Sequence, residues 1–127
     1  MKKHNPSTIA QPMGAYSNGV SAPGGGRWLY VAGQIGVDKA GQVPEDFAGQ
    51  AHNAWTNLVA ILADAGMDVG NLVKVTHYLV DEADLPAYNP VRSQFLGEAR
   101  PASTLVIAKA LARPQWRVEV EAIAWRA

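Results

Sequence analysis

The strand-like segment at residues 116–125 constrains the fold more than any other stretch of the chain. Its side chains alternate between two faces, one with Val118, Val120, Ala122 and Ala124 and the other with Glu119, Glu121, Ile123 and Trp125. An open solvent face does not favour Ile and Trp, and a dry core does not accept two unpaired carboxylates. The pattern therefore predicts a strand that is covered on both faces, with its acidic end beside a polar pocket.

Two segments have the periodicity of amphipathic helices. The clearer one spans residues 44–66, beginning with a proline and two acidic residues and stopping at Gly66. Its apolar residues form one stripe: Phe47, Ala51, Ala54, Trp55, Leu58, Ile61, Leu62 and Ala65. A second helix is predicted at about residues 84–96, with Asp84 as a candidate N-cap and Gly97 as the stop.

The other segments read as strands and give the order β-β-α-β-α-β-β. The predicted strands lie at residues 13–20, 27–37, 72–80, 102–109 and 116–125. Residues 1–12 lack periodicity and are interpreted as an N-terminal arm, and the glycine run at 23–26 as a hairpin loop. Two helices can cover only one face of a mixed sheet, so the opposite face is predicted to be buried in a homo-oligomer.

The composition is that of one globular domain covering residues 1–127. Eleven basic residues balance eleven acidic ones, so bulk charge gives no reason to expect nucleic acid or an anionic membrane as a partner. The absence of cysteine excludes disulfides and thiol chemistry. No apolar stretch is long enough to span a bilayer and no signal peptide is recognisable, so a cytoplasmic location is expected.

Histidine and serine give no strong catalytic signal. His4, His52 and His77 are too scattered to indicate a metal site. For His52, on or beside the helical stripe, and for His77, among aliphatic strand residues, a hydrogen-bonded structural role is favoured over a ligand or base. There is no G-x-S-x-G motif, and no serine, Ser103 included, has an obvious base partner.

Glu119 and Glu121 are a more informative pair. Two residues apart on a strand, they share a face with their Cα atoms about 6.5–7 Å apart. In a partly desolvated setting each carboxylate raises the pKa of the other, which suits an acid/base role near neutral pH. The alternative is a pair of ion-paired carboxylates, with Lys74, Arg100 or Arg117 as partners.

Six stretches, taken in order, resemble the reactive-intermediate deaminase (Rid, formerly YjgF) family along nearly the whole chain. They are G-A-Y-S-N-G-V (14–20), V-A-G-Q-I-G (31–36), N-L-V-A-I-L-A-D-A-G (57–66), V-K-V-T-H-Y-L-V-D (73–81), P-A-S-T-L-V (101–106) and V-E-V-E-A-I-A (118–124). The resemblance implies an α+β fold of the chorismate-mutase-like type, with two helices on one face of a mixed sheet. It also implies a homotrimeric barrel with pockets at the subunit interfaces, and no metal or organic cofactor.

The best-understood members of this family hydrolyse 2-imino or enamine acids to 2-keto acids and ammonia. By resemblance, their pocket tyrosine maps to Tyr16, a glycine backbone amide to Gly33, an asparagine to Asn89 and a glutamate to Glu119. In such a site Glu119 orients or activates a water, and the amides hold the substrate carboxylate.

One substrate-binding position departs from the family pattern. Deaminating members carry an arginine in P-A-R-S/T, where this chain has Ser103, and a serine lacks the charge and the bidentate geometry of a guanidinium. A serine that often precedes the strand-end glycine is Ala32 here. Arg92, Arg100 and Arg113 are candidate replacements for the arginine, and the sequence places none of them in the pocket.

Three functions follow from these residues. The first is an enzyme that hydrolyses an imine, enamine or related reactive metabolite, with Glu119 as acid/base and with Tyr16, Gly33, Asn89 and Ser103 binding the substrate. The second is a non-catalytic trimer that binds a small metabolite, which the loss of the arginine favours. The third, a ribonuclease or translation inhibitor, is disfavoured by zero net charge and the lack of a basic-aromatic stripe.

Overall fold

The computed structural model describes residues 1–127 and contains six strands and two helices. The strands are β1 (Lys2–His4), β2 (Gly19–Ser21), β3 (Arg27–Ile35), β4 (Leu72–Leu79), β5 (Ala102–Ile107) and β6 (Val118–Arg126). The helices are α1 (Phe47–Asp64) and α2 (Leu85–Leu96), and short 3₁₀ turns at Val69–Asn71 and Glu82–Asp84 precede β4 and α2.

The main sheet has four strands in the order β3-β6-β4-β5. Strands β4 and β5 run parallel, whereas β6 is antiparallel to both of its neighbours, β3 and β4. The parallel pair is possible because α2 crosses over between β4 and β5. This arrangement confirms the predicted α+β class, with a mixed sheet and two helices.

Helix α1 forms because its apolar residues lie on one stripe and because both of its ends carry residues that stop a helix. The Asp46 side chain accepts a 2.8 Å hydrogen bond from the Gly49 amide at the N-terminus, and Gly66 beyond the C-terminus has a φ of 69°, a value that suits glycine. The predicted stripe is confirmed, and its buried members are Phe47, Ala51, Ala54, Trp55, Leu58 and Leu62. No helix in the structure combines the length and apolarity needed to cross a membrane.

Strand β6 shows the two faces that its sequence predicts. Val118, Val120, Ala122 and Ala124 are buried, and α1 packs over β3 and β6. On the other face, which we call the helix-free face, Glu119, Glu121, Ile123 and Trp125 are only half-buried. Tyr30 of β3 pairs with Ile123 there and is 73% exposed. Within one chain the helix-free face is therefore open.

The N-terminal region differs from the prediction. The arm at residues 1–12 contains a strand, β1, which pairs antiparallel with β2, and β2 is much shorter than the extended segment predicted at 13–20. Because β2 and β3 belong to different sheets, the glycine run at 23–26 is not a hairpin loop. Polar strands that pair only with each other have no apolar alternation, so the sequence did not reveal them.

The start of α2 also differs. Asp84 precedes the helix but its side chain makes no capping hydrogen bond. Its carboxylate instead pairs with Arg117 at 2.6 Å, while Asp81 accepts a 2.9 Å hydrogen bond from the Ala83 amide in the 3₁₀ turn. Asp84 therefore links α2 to the start of β6.

Candidate functional site

The predicted site residues lie in two groups. Gly33 and Glu119 meet on the helix-free face of the sheet, at the β3–β6 pair. Ser103 and Asn89 lie on the helix side, where they are linked through His77, Tyr88 and Arg92. Tyr16 lies in the loop before β2. No hydrogen bond within the chain joins the two groups.

Gly33 is in contact with Glu119 because β3 has a bulge. The register shifts by one residue between the Val31–Ala122 and Gln34–Val120 pairs, leaving Gly33 near the point of irregularity. A Cβ atom at Gly33 would lie 2.5 Å from Glu119 Oε1, so a larger residue would force the carboxylate to move. The β-bulge thus coincides with a close approach between Gly33 and the Glu119 side chain.

The two carboxylates on the helix-free face have different surroundings. The Tyr78 hydroxyl donates a 2.5 Å hydrogen bond to Glu121 Oε1, whereas Glu119 accepts no side-chain hydrogen bond within the chain. The bond to Glu121, followed by partial desolvation and the negative charges of Glu121 and Glu119, raises the pKa of Tyr78 above its usual value. Tyr78 thus stays protonated and donates to the Glu121 carboxylate, whereas the Glu119 carboxylate has no donor in its own chain.

The ion-paired alternative for these carboxylates is wrong within the single chain. Lys74 donates to the Thr104 hydroxyl, Arg100 donates to the Gly97 and Ala99 carbonyls, and Arg117 pairs with Asp84. The Arg117–Asp84 pair is the only salt bridge in the chain. Neither Glu119 nor Glu121 therefore has an ion-pair partner in the same chain.

A hollow of about 420 Å³ lies on the helix-free face beside these residues. Its lining includes Tyr30, Ala32, Lys74, Thr76, Glu121 and Ile123. It combines apolar walls with an amine, a hydroxyl and a carboxylate, which is the usual character of a site for a small polar molecule.

His77 occupies the centre of the second group. It is fully buried on β4; its Nδ1 atom contacts the Tyr88 hydroxyl, and its Nε2 atom lies 3.0 Å from Ser103 Oγ. The Trp55 indole N–H donates to the same Tyr88 oxygen at 3.1 Å. The prediction of a hydrogen-bonded structural histidine is confirmed for His77. The sequence did not reveal that Ser103 has a histidine neighbour, which the parallel pairing of β4 and β5 brings to it.

Burial determines the protonation of this group. Desolvation, with smaller contributions from the positive charges of Arg92 and Lys74, lowers the pKa of His77 to about 3. Burial also raises the pKa of Tyr88, although the hydrogen bond from Trp55 and the charge of Arg92 oppose the rise. At neutral pH both His77 and Tyr88 are therefore uncharged.

His52 does not have the hydrogen-bonded role expected for it. Its side chain is exposed on α1 and makes no hydrogen bond; the ring instead contacts Phe95, with 5.3 Å between ring centroids. The apolar stripe passes beside His52 rather than through it. No cluster of three or more His, Asp or Glu side chains is arranged to bind a metal ion.

Of the candidate arginines, Arg92 lies beside the second group. Its guanidinium carbon is 5.8 Å from the centroid of the Tyr88 ring, and its Nη2 atom donates to Asn89 Oδ1 at 2.9 Å. The Nε atom is buried without a hydrogen-bond partner, and no carboxylate pairs with the side chain. Arg100 is bound to backbone carbonyls, and Arg113 is exposed and makes no side-chain hydrogen bond.

Tyr16 is held next to the start of β5. The neighbouring Ser17 donates from its amide to the Pro101 carbonyl at 2.9 Å and from its hydroxyl to the Arg100 carbonyl at 2.5 Å. Ser17 also forms a parallel bridge with Ala102, the residue before Ser103. Ser17 is 1% exposed, so this connection fixes the loop that carries Tyr16. No pattern in the sequence indicates this role of Ser17.

The structure is thus an α+β domain with one open sheet face, on which the Glu119 carboxylate lies against the Gly33 bulge without an ion-pair partner. On the helix side of the sheet, hydrogen bonds link Trp55, Tyr88, His77 and Ser103. Comparison with known proteins identifies the class. The family described as endoribonuclease L-PSP matches residues 7–126. The chain therefore belongs to the endoribonuclease L-PSP family, which includes the Rid and YjgF proteins.

Individual relatives agree with this assignment. A RutC family protein from Pyrococcus horikoshii is 36% identical over 118 residues, covering 91% of this chain and 90% of the relative. The 2-iminobutanoate/2-iminopropanoate deaminase of Bos taurus is 40% identical over 122 residues, covering 93% of this chain and 86% of the relative. A Rid family protein of unknown function from Yersinia pestis has a crystal structure with a TM-score of 0.87, at 27% identity and 98% coverage of both chains.

Proposed function

We propose that this protein is a homotrimeric hydrolase of a reactive imine or enamine, with Glu119 as the acid/base. The observation that carries the proposal is the position of the Glu119 carboxylate, which lies against the Gly33 bulge without a hydrogen-bond or ion-pair partner in its own chain. Relatives of this chain are named 2-iminobutanoate/2-iminopropanoate deaminases, which supports imine hydrolysis as the chemistry.

In the proposed reaction, water adds across the C=N bond and ammonia leaves. Glu119 accepts a proton from the attacking water as the oxygen bonds to the imine carbon, and passes that proton to the nitrogen, giving a carbinolamine. The same carboxylate then accepts the carbinolamine hydroxyl proton and passes it to the nitrogen. The C–N bond breaks as the C=O bond forms, and the products are a ketone group and ammonia. A carboxylate with both oxygens free is better suited to shuttle the proton, which favours Glu119 over Glu121, because the Tyr78 hydroxyl donates to the latter.

The proposed binding residues surround this carboxylate in the assembled protein. Gly33 supplies a backbone amide beside Glu119, Asn89 and Ser103 belong to the second group, and Tyr16 lies in the loop that Ser17 connects to the start of β5. Because the two groups are not joined within one chain, the proposal requires a pocket between subunits, with Glu119 and Gly33 from one subunit facing Tyr16, Asn89 and Ser103 of another.

The open sheet face supports the proposed trimer. Large apolar side chains stand on it, with Tyr30 73% and Trp28 39% exposed, and a soluble monomer gains nothing by leaving them in water. Packing three such faces together would bury these residues and close the hollow of about 420 Å³ beside Glu121.

A second candidate is a non-catalytic trimer that binds a small metabolite. Ser103 favours it, because this position holds a serine rather than the arginine of P-A-R-S/T. A role as ribonuclease or translation inhibitor is less well supported, since formal net charge is zero and phosphate binding needs a basic surface.

The test is hydrolysis of 2-iminobutanoate, generated in place by a dehydratase and followed as keto-acid formation. The unmodified protein is expected to accelerate it, and Ser103→Arg measured at equal trimer concentration reports on the substituted position. Activity confined to Ser103→Arg would indicate a scaffold adapted to another ligand. Absence of activity in both proteins would contradict the hydrolase and favour the binding role.

A further inference from the structure

The buried hydrogen bonds from Trp55 to Ser103 have one consistent direction. The indole N–H of Trp55 is only a donor, so the Tyr88 oxygen must accept from it. The Tyr88 proton then needs an acceptor, and the adjacent polar atom is His77 Nδ1. Because neutral imidazole carries one proton, an accepting Nδ1 leaves that proton on Nε2, which donates to Ser103 Oγ at 3.0 Å.

The reverse direction leaves a group unsatisfied. If His77 donated through Nδ1, the Tyr88 oxygen would accept from both His77 and Trp55, and its own proton would have no acceptor. Tyr88 is completely buried, and buried polar groups are nearly always paired. A protonated His77 is excluded by burial, which lowers its pKa to about 3.

This direction determines what Ser103 can do. A serine nucleophile needs a histidine that accepts its proton, whereas here His77 donates to the serine oxygen. Ser103 is half-buried at the margin of the core, so its hydroxyl proton is available to an acceptor outside the core. The hydrogen bonds from Trp55 through Tyr88 to His77 thus make Ser103 a hydrogen-bond donor.

Arg92 carries a positive charge close to Tyr88 and His77, the residues that orient Ser103. The guanidinium lies over Tyr88, the residue whose hydroxyl contacts His77, and its charge is felt at His77. It uses Nη2 on the neutral Asn89 side chain, and no acidic residue neutralises it. A half-buried guanidinium with free donors and no counter-ion is suited to bind an anion.

We propose that Arg92 and Ser103 together bind a carboxylate of the ligand, with Trp55, Tyr88 and His77 as positioning residues that hold Ser103 as a donor. A guanidinium from α2 and a hydroxyl from β5 would then bind the carboxylate that an arginine at position 103 would otherwise bind. That the carboxylate belongs to an imino acid rests on the proposed function. The anion site itself requires no turnover.

The direction of the hydrogen bonds is tested by nitrogen NMR on protein labelled with ¹⁵N-histidine. The chain has three histidines, so His77→Gln identifies the signals of His77. The expected result is a neutral ring protonated at Nε2 and unprotonated at Nδ1 throughout pH 5 to 8. A ring protonated at Nδ1, or one that titrates in this range, would overturn the assignment of Ser103 as a donor.

The anion site is tested by calorimetric binding of 2-oxobutanoate, a stable 2-oxo carboxylate, and of its neutral amide. Arg92→Gln is expected to weaken 2-oxobutanoate binding by about tenfold or more, and Ser103→Ala by about three- to tenfold. Arg113→Gln and Ser93→Ala, which alter exposed residues without side-chain hydrogen bonds, are the matched controls and should bind as the unmodified protein does. Binding of the amide should not depend on Arg92.

The outcomes separate this inference from the proposed function. If the unmodified protein does not bind 2-oxobutanoate, or if Arg92→Gln binds it as tightly as Arg113→Gln, the inference is wrong. If binding depends on Arg92 and no imine is hydrolysed, the hydrolase proposal fails while the carboxylate site stands. Circular dichroism of each variant checks that a loss of binding does not reflect a loss of fold.

Discussion

Tyr78 donates a 2.5 Å hydrogen bond to Glu121, and Glu119, two residues earlier on the same strand face, accepts no such bond. Strand β4 lies beside β6 with Tyr78 in register with Glu119, so its hydroxyl reaches diagonally to the next carboxylate on that face. One of two carboxylates that look equivalent in the sequence is thereby engaged. The other, Glu119, has no such partner and lies against Gly33.

Gly33→Ala should impair function without unfolding the protein. The new methyl group would lie 2.5 Å from Glu119 Oε1 and displace the carboxylate, which can move because it ends a flexible side chain. We expect imine hydrolysis to fall by about 10- to 100-fold, in keeping with misplacement of a catalytic group, and little change in melting temperature.

Gly24→Ala is the control for that substitution, since a Cβ at Gly24 meets no atom within 4 Å. It should leave hydrolysis and melting temperature unchanged. Equal activities of Gly33→Ala and Gly24→Ala would show that the contact with Glu119 has no catalytic meaning.

The helix-free face should mediate assembly. Sedimentation equilibrium is expected to give a mass of three chains of 13.5 kDa each. Tyr30→Glu places a charge where Tyr30 and Ile123 pair on that face, and should dissociate the assembly to monomers because an unpaired charge is costly to bury.

Ile107→Glu provides a matched control for the trimer. Ile107 is 44% exposed, but its strand partner is Leu79, which places it on the helix side of the sheet. This variant should keep the mass of the unmodified protein. A monomeric unmodified protein at micromolar concentration would contradict the trimer and the shared pocket with it.

His77 should make stability depend on pH. Its pKa is about 3 in the folded protein against 6.5 as the ordinary value, so the unfolded chain binds the extra proton first as the pH falls. The stabilisation is complete above pH 6.5 and is lost between 6.5 and about 3, with a slope approaching about 1.4 kcal/mol per pH unit.

The measurement is the free energy of unfolding in urea between pH 7 and pH 4, compared with that of His77→Gln. The variant lacks the titrating ring, so its stability should fall less steeply, whatever its absolute value at pH 7. Parallel curves for the two proteins would show that His77 is not held neutral by the fold.

The parts of the fold that could be predicted are those with a local signal. The spacing of apolar residues predicts the stripe of α1 and the alternation of β6. The buried residues match both patterns, from Phe47 to Leu62 and from Val118 to Ala124. Strand β1 has no such signal, because its polar residues pair only with β2 and bury nothing.

The contacts of the candidate site depend on strand order, which the sequence does not contain. Ser103 meets His77 only because β5 lies parallel to β4 and in register with it, and Glu121 meets Tyr78 only because β6 lies on the other side of β4. Arg92 could be counted among three candidate arginines, but its place over Tyr88 depends on how α2 packs. The sequence shows which residues are candidates for the site, but it does not show which residues they contact.

The most direct test of the central claim is the effect of Glu119→Gln on turnover and on ligand binding, with Glu121→Gln beside it. Glu119→Gln is expected to lower kcat for imine hydrolysis by at least about 100-fold, because the amide cannot carry the proton, while 2-oxobutanoate still binds. Glu121→Gln should lose less than about tenfold, since Tyr78 already engages that carboxylate. A Glu119→Gln variant that hydrolyses the imine as fast as the unmodified protein would contradict the account.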